Sequence, residues 1–240
     1  MRLIKQILRQ LFMVVSLGLI ATAATASVSN PENGKEYTLL ERPQPTEGGK
    51  KIEVIEFFAY YCPHCFVLDP TLADWVKKQG DNIVFKRVHV SDPRVVPHQK
   101  LFYSLEAMGK AEELHMKIFN AFHVDRNRLQ TDADVLEFVT KAGIDKQKFL
   151  DVYNSFAVQS KLNRSAQLMT SYQIDSWPKI AVDGRFMTSP VMAGAGLGRV
   201  SELAQNQALL PVLDALIAKI QKEKNVPVAA EQVKAPAKKK

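Results

Sequence analysis

The chain has 240 residues, 46% hydrophobic and 24% charged, with only 11 glycines and 12 prolines. That composition excludes a disordered, a collagenous and a disulfide-dense chain, and it leaves a packed fold of one or two domains. The net charge of +7 sits at the ends: Arg2, Lys5 and Arg9 precede any acid, and residues 222–240 hold six lysines against Glu223 and Glu231. The stretch between them is neutral, which removes the basic core that nucleic-acid binding would need.

In chain order, residues 1–26 pass from a basic start through the apolar run Leu11–Ile20 to the small residues Ala21–Ala26, the pattern of a secretory signal peptide. Cleavage is expected after Ala26, with Ala23 as the alternative. The apolar run is short for an uncleaved membrane anchor. Export places both cysteines of the chain where a disulfide persists.

Residues 27–50 form a polar lead-in arm with one strand expected over Glu36–Leu40. Lys51–Phe58 reads as a buried strand, Asp69–Gln79 as a helix closed by Gly80, and Asn82–Val90 as a second strand, together a βαβ unit. From Pro93 to Tyr172 the period becomes helical: Leu101, Leu105 and Met108, then Leu114, Ile118 and Phe122, then Val135 and Val139. Thr131–Asp134 reads as a capped helix start and Gly143 as a stop. Two short strands around Asp183-Gly184 predict a hairpin. Val200–Ile220 predicts an amphipathic helix that Pro211 either kinks or divides. Residues 226–240, rich in Ala, Pro and Lys, predict a disordered tail; a weak lysine tether to anionic membrane is the other reading.

Chemistry concentrates in Cys62-Pro63-His64-Cys65, which holds the only two cysteines and lies where a strand gives way to a helix. A sulfur at a helix N-terminus meets unpaired N–H groups and the positive end of the helix dipole, both of which favour thiolate. Cys62 is therefore the expected reactive sulfur. Pro63 suits the first helical turn, a protonated His64 adds a cation, and Cys65, one turn further in, is shielded. A purely structural disulfide at this spacing closes too small a loop to constrain the unfolded chain much. A zinc site lacks a second cysteine pair, and its other ligands would have to come from His64, His89, His98, His115 and His123, which show no ligand spacing. No metal is expected, and no cofactor beyond the cysteine pair. Lowering a thiol pKa stabilises the reduced pair, so the disulfide becomes the stronger oxidant.

The segment Glu56-Phe57-Phe58-Ala59-Tyr60-Tyr61-Cys62-Pro63-His64-Cys65, with Trp177-Pro178 ahead of the Asp-Gly hairpin, resembles the DsbA family of periplasmic thiol:disulfide oxidases over residues 35 to 222. The resemblance implies an α/β thioredoxin fold with an inserted all-helical domain. The expected division is a signal peptide at 1–26, thioredoxin-like parts at 27–92 and 171–222, a helical insertion at 93–170 and a tail at 223–240. It further implies that Pro178 follows a cis peptide bond and helps hold substrate extended beside the disulfide. Trp177 departs from the Val or Thr common before that proline, and either shifts substrate choice or redox tuning or simply packs on the hairpin. The family also carries a buried acid at the position of Glu56. Glu53 and Glu56, three apart in a strand, point to opposite faces, so one of them is expected under a covered layer with a raised pKa, ready to exchange a proton with Cys65. The other reading is a strand-end glutamate in solvent. Arg87 is either a basic partner of that acid on the neighbouring strand or, the favoured reading, an ordinary surface charge.

The activity implied is donation of the Cys62–Cys65 disulfide to reduced, unfolded, exported polypeptides in the periplasm, with reoxidation by a quinone-linked membrane protein of the DsbB type. Phe58, Tyr60, Tyr61, Phe66 and Trp177 are candidates for an apolar peptide surface, with Tyr61, Trp177 and Pro178 the main substrate contacts; core packing claims some of the others, Phe58 first. The chain is expected to act as a monomer. An isomerase or reductase of the DsbC type would usually carry an N-terminal dimerisation domain, for which residues 27–50 are too few. A peptide-binding chaperone with an inert disulfide is the rival of another class.

Overall fold

A computed structural model describes residues 30–225. The expected signal peptide and the tail from residue 226 lie outside the described residues. Five strands form one mixed sheet: β1 (Thr38–Leu39), β2 (Ile52–Phe58), β3 (Ile83–His89), β4 (Lys179–Val182) and β5 (Phe186–Thr188), in the order β1-β5-β4-β2-β3. Only β2 and β3 run parallel, joined over the sheet by α1 (Pro63–Gln79). The helical block follows as α2 (Val96–Ala107), α3 (Ala111–His123), α4 (Asp132–Lys141), α5 (Lys146–Tyr153) and α6 (Phe156–Ser171). The chain then returns through β4 and β5 to α7 (Pro190–Ala193) and α8 (Glu202–Asn225). Among the described residues no helix is long and apolar enough to cross a membrane.

The expected strand Glu36–Leu40 shrinks to the two residues of β1. Gly34, at φ +85°, turns the chain so that its N–H reaches the Tyr37 carbonyl, and Asn33 Oδ1 takes the Leu39 N–H, leaving little backbone for pairing. Helix α1 begins at Pro63, ahead of the expected Asp69, because Cys62 caps it, and it continues through Pro70 to Gly80. Thr131 and Asp134 form the reciprocal capping box at the start of α4. The single helix α8 runs past residue 222 to Asn225 with Pro211 inside it, so the proline does not divide it. Leu209, Val212, Leu213, Leu216, Ile217 and Ile220 give α8 one buried stripe.

That stripe packs with Leu68, Leu72 and Trp75 of α1 and with Ile52, Val54 and Ile180 of the sheet to make one core. A second core, under the helical block, gathers Ile55, Phe57 and Phe58 with Leu101, Phe102, Leu114, Ile118 and Phe119. Trp75 Nε1 and Gln79 Nε2 both donate to Asp214 Oδ1, at 2.8 and 2.7 Å, which fastens the end of α1 remote from the cysteines to α8.

The Asp-Gly hairpin forms as the sequence predicts, with Asp183 and Gly184 at φ +53° and +65°. At Gly184 a Cβ would also lie 2.1 Å from the Gln44 carbonyl oxygen, whereas at Gly109, φ +66°, the left-handed residue that ends α2 with its N–H on the Glu106 carbonyl, it would meet open space. Gly109→Ala should therefore cost only the left-handed backbone term, about 1–2 kcal/mol, and Gly184→Ala distinctly more. Urea unfolding of the two variants at constant m-value checks the difference.

Candidate active site

Strand β2 is buried along all seven residues and ends at Phe58; the chain then turns through Ala59–Tyr61, and Cys62 caps α1. The Cys62 N–H donates to the Ala59 carbonyl at 3.0 Å, and its extended backbone (φ −83°, ψ 115°) aims the sulfur at the helix start, where Sγ accepts the Cys65 N–H at 3.4 Å. Pro63 occupies the first turn, where no N–H bond is lost. Both cysteines are free thiols, so the geometry is that of the reduced pair. Cys62 retains 5% exposure and Cys65 none, as their positions at and inside the helix end require.

The Cys62 thiol points across to the Trp177 carbonyl, 3.7 Å away, and the Trp177–Pro178 peptide bond is cis. Tyr61 stands edge-on to the half-buried Trp177, ring centroids 6.3 Å apart, and its hydroxyl donates to Asp92 at 3.2 Å. A groove of about 370 Å³ opens beside the pair, lined by His64, Trp177, Pro178, Pro190, Met192 and Asn206. Of the aromatic residues expected at such a surface, Tyr61, Phe66 and Trp177 are partly exposed, Phe66 stacking on His123 at 4.8 Å. Core packing takes Phe58, as expected, and also Tyr60: both are fully buried, and the Tyr60 hydroxyl bonds His115 Nδ1 at 3.1 Å inside the helical block.

The two sulfurs titrate in opposite directions. The Cys62 thiol is lowered to about 7, first by a hydrogen bond from the Cys65 thiol, against the cost of burial, and then by the Cys65 and His64 N–H groups and the His64 charge. Cys65 is pushed well above 9, chiefly by burial, with the Cys62 and Glu56 charges adding to it. His64 is held above its ordinary value by Glu202, whose Oε1 lies 2.7 Å from its Nδ1. Glu202 went unnoticed in the sequence, since it lies 138 positions away and carries no motif.

Glu56 is buried, as one of the two expected readings required, and Glu53 is buried with it on the opposite face. Arg87 is not a surface charge: in the parallel ladder it stands directly opposite Glu56, which puts both side chains on one face, under α1. There its guanidinium donates through Nε to Glu56 at 3.0 Å, through Nη2 to Asp69 at 3.0 Å and through Nη1 to Glu112 at 2.6 Å. His115 Nε2 reaches the same Asp69 oxygen at 3.1 Å. Burial lifts Glu56 to about 7; Arg87 opposes this, while Asp69 and Glu112 reinforce it. Asp69, Glu112 and His115 were not legible as site residues, because helical periodicity does not report which loop or strand a polar face meets.

These features are a dithiol with one slightly accessible and one fully shielded sulfur, plus a buried carboxyl group that titrates near neutrality. The family described as a DSBA-like thioredoxin domain matches residues 53–206. The chain belongs to that family. The DsbA-named thiol:disulfide interchange protein of Burkholderia cepacia is 42% identical over 214 residues, covering 88% of this chain and 96% of that protein. The DsbA-named protein of Bordetella pertussis is 37% identical over 183 residues, covering 76% and 87%. A crystal structure of Pseudomonas aeruginosa DsbA superposes with a TM-score of 0.74 at 31% identity, covering 81% of this chain and 96% of that one. The chain is thus a thiol:disulfide oxidoreductase with the DsbA-type thioredoxin fold and its helical insertion.

In the reduced DsbA-type protein the thiolate absorbance should rise with a midpoint near pH 7, and Cys62→Ser should abolish that step, because Cys65 ionises only well above 9. The sign follows from a depressed thiol pKa: the preference for the reduced form holds in full above the ordinary cysteine value of about 8.5 and is lost as pH falls through about 7. A single transition at the ordinary cysteine value would contradict this geometry.

Proposed function

We propose that the chain is an oxidase of exported proteins in the periplasm, delivering its Cys62–Cys65 disulfide to reduced, unfolded polypeptides. The observation that carries this reading is the division of labour between the sulfurs. At neutral pH about half of the Cys62 population is thiolate, against a few per cent for an ordinary cysteine, while buried Cys65 stays protonated. A sulfur that holds charge well is a good leaving group, so the mixed disulfide at Cys62 resolves toward oxidised client.

In the cycle, a client thiolate attacks Cys62 Sγ and breaks the Cys62–Cys65 bond. Cys65 leaves as a thiolate and takes a proton from Glu56, whose pKa near 7 leaves it protonated about half the time at neutrality. A second client thiolate attacks the client sulfur of the mixed disulfide, and Cys62 departs as thiolate. The client leaves with a disulfide, and two electrons remain on the enzyme. Reoxidation needs an acceptor for those electrons, and a quinone-linked membrane protein of the DsbB type fits that need; Glu56 then takes back the Cys65 proton. The cycle calls on no cofactor beyond the cysteine pair and no metal. Trp177 and Pro178 offer the groove wall against which an extended client chain lies, Tyr61 packs edge-on against Trp177, and His64 supplies a cation beside the Cys62 anion. The N-terminal signal pattern supports export, and the chain acts as a monomer in this reading.

Equimolar oxidised protein should consume the thiols of a reduced, unfolded substrate within one turnover. Cys65→Ala whose Cys62 has first been converted to a mixed disulfide with glutathione should accumulate client chains disulfide-linked to Cys62 as glutathione leaves, visible as mass-shifted, thiol-reversible adducts. Absence of both thiol consumption and adducts would leave a peptide-binding module in place of the oxidase.

A further inference from the structure

We infer that Glu112, an exposed residue of the helical insertion, is a positioning residue for the redox reaction: through Arg87 it sets how readily Glu56 gives up its proton. The inference rests on the proposed role of Glu56 as the acid serving Cys65.

The geometry is a three-way fork. Arg87 has a side chain only 5% exposed, and each arm of its guanidinium is engaged by a different carboxylate, from β2, α1 and α3. A guanidinium carries one positive charge, whatever the number of its acceptors. Asp69 and Glu112 already oversupply the negative charge that Arg87 can balance, so an ionised Glu56 would bring the buried cluster to −2, and a proton on Glu56 brings it to −1. His115 does not relieve the imbalance. Burial lowers its pKa, so it is neutral at neutral pH; donating to Asp69 through Nε2 leaves Nδ1 to accept the Tyr60 hydroxyl, a single consistent tautomer.

Of the two competing acids, Asp69 is sealed inside, with 6% side-chain exposure, and Glu112 is at the surface, with 82%. Glu112 thus holds the outer arm of a buried cation while its other face meets solvent and salt. The titratable groups coupled to Glu56 are Arg87 on β3, Asp69 and Cys65 on α1, Tyr60 in the turn before α1, and, through Arg87, Glu112 on α3. Among them, Glu112 is the one whose charge can be altered without opening the core. Its neighbour Glu113 pairs with Lys110 instead and supplies a matched control.

Removing the Glu112 charge frees Arg87 for Glu56 and removes a repulsion, so both effects move the Glu56 midpoint down. The size is that of a partly screened ion pair, about half a pH unit, or roughly threefold in the ionised fraction near neutrality. The test follows the infrared carbonyl band of protonated Glu56 against pH in the full reduced protein, with Glu56→Gln identifying the band. The pH profile of disulfide exchange is recorded alongside.

In Glu112→Gln both midpoints should move to lower pH together, and in Glu112→Lys further still; Glu113→Gln should leave them in place. Molar salt, which shortens the screening length to about 3 Å, should move the wild type toward Glu112→Gln and affect that variant less. If the band is present but its midpoint stays fixed in Glu112→Gln and Glu112→Lys, the proposal is wrong. If Glu56→Gln removes no titrating band and leaves the exchange profile unchanged, it is the role given to Glu56 that fails.

Discussion

A central strand with no exposed residue carries two glutamates, and the arrangement of the site depends on how that burden is met. Glu53 and Glu56 lie on opposite faces of β2, and the adjacent strand answers with Lys86 and Arg87, consecutive residues that send one cation to each face. Lys86 Nζ lies 2.8 Å from Glu53, and Arg87 Nε lies 3.0 Å from Glu56. The two-residue period of the strand makes this distribution automatic once the parallel register is set. Ion pairs this deep are weak sources of stability, because desolvation offsets most of the attraction. Their value at Glu56 is chemical: the cation keeps a buried carboxyl near the pH at which it can both hold and release a proton.

The same strand delivers the cysteines. Because β2 runs into α1 through a short turn, one sulfur lands on the helix cap and the other on the inner side of its first turn, and burial then separates their chemistry. The cap supplies N–H donors to Cys62, and the core denies solvent to Cys65. Neither effect requires a special residue at a distance, which is why a four-residue motif is so informative.

That also explains what could be read from the sequence. The βαβ unit, the helical block, the Asp-Gly hairpin and the roles of Cys62 and Pro63 at the helix start follow from local patterns: periodicity, caps and turn chemistry. Arg87 was misjudged because its neighbours in the chain look like those of any strand charge, and only the pairing register sets it against Glu56. Glu202 beside His64 and Glu112 beside Arg87 were invisible for a related reason, each meeting its partner only when a helix packs onto another element of the fold. Tyr60 was placed at the surface because it adjoins the motif, whereas a hydrogen bond to His115 holds it inside.

Asp214 accepts two donors from the last turns of α1, from Trp75 and from Gln79. A rod clamped at its far end cannot swing its near end freely, so the sulfurs at the opposite tip present themselves at a fixed angle. The adjustment that lines up three sulfur atoms for exchange therefore falls to the visiting chain. Under the oxidase reading proposed above, a client that is still loose can make that adjustment and one already folded around its thiols cannot, so stiffness in the enzyme would select unfinished chains without any need to recognise their sequence.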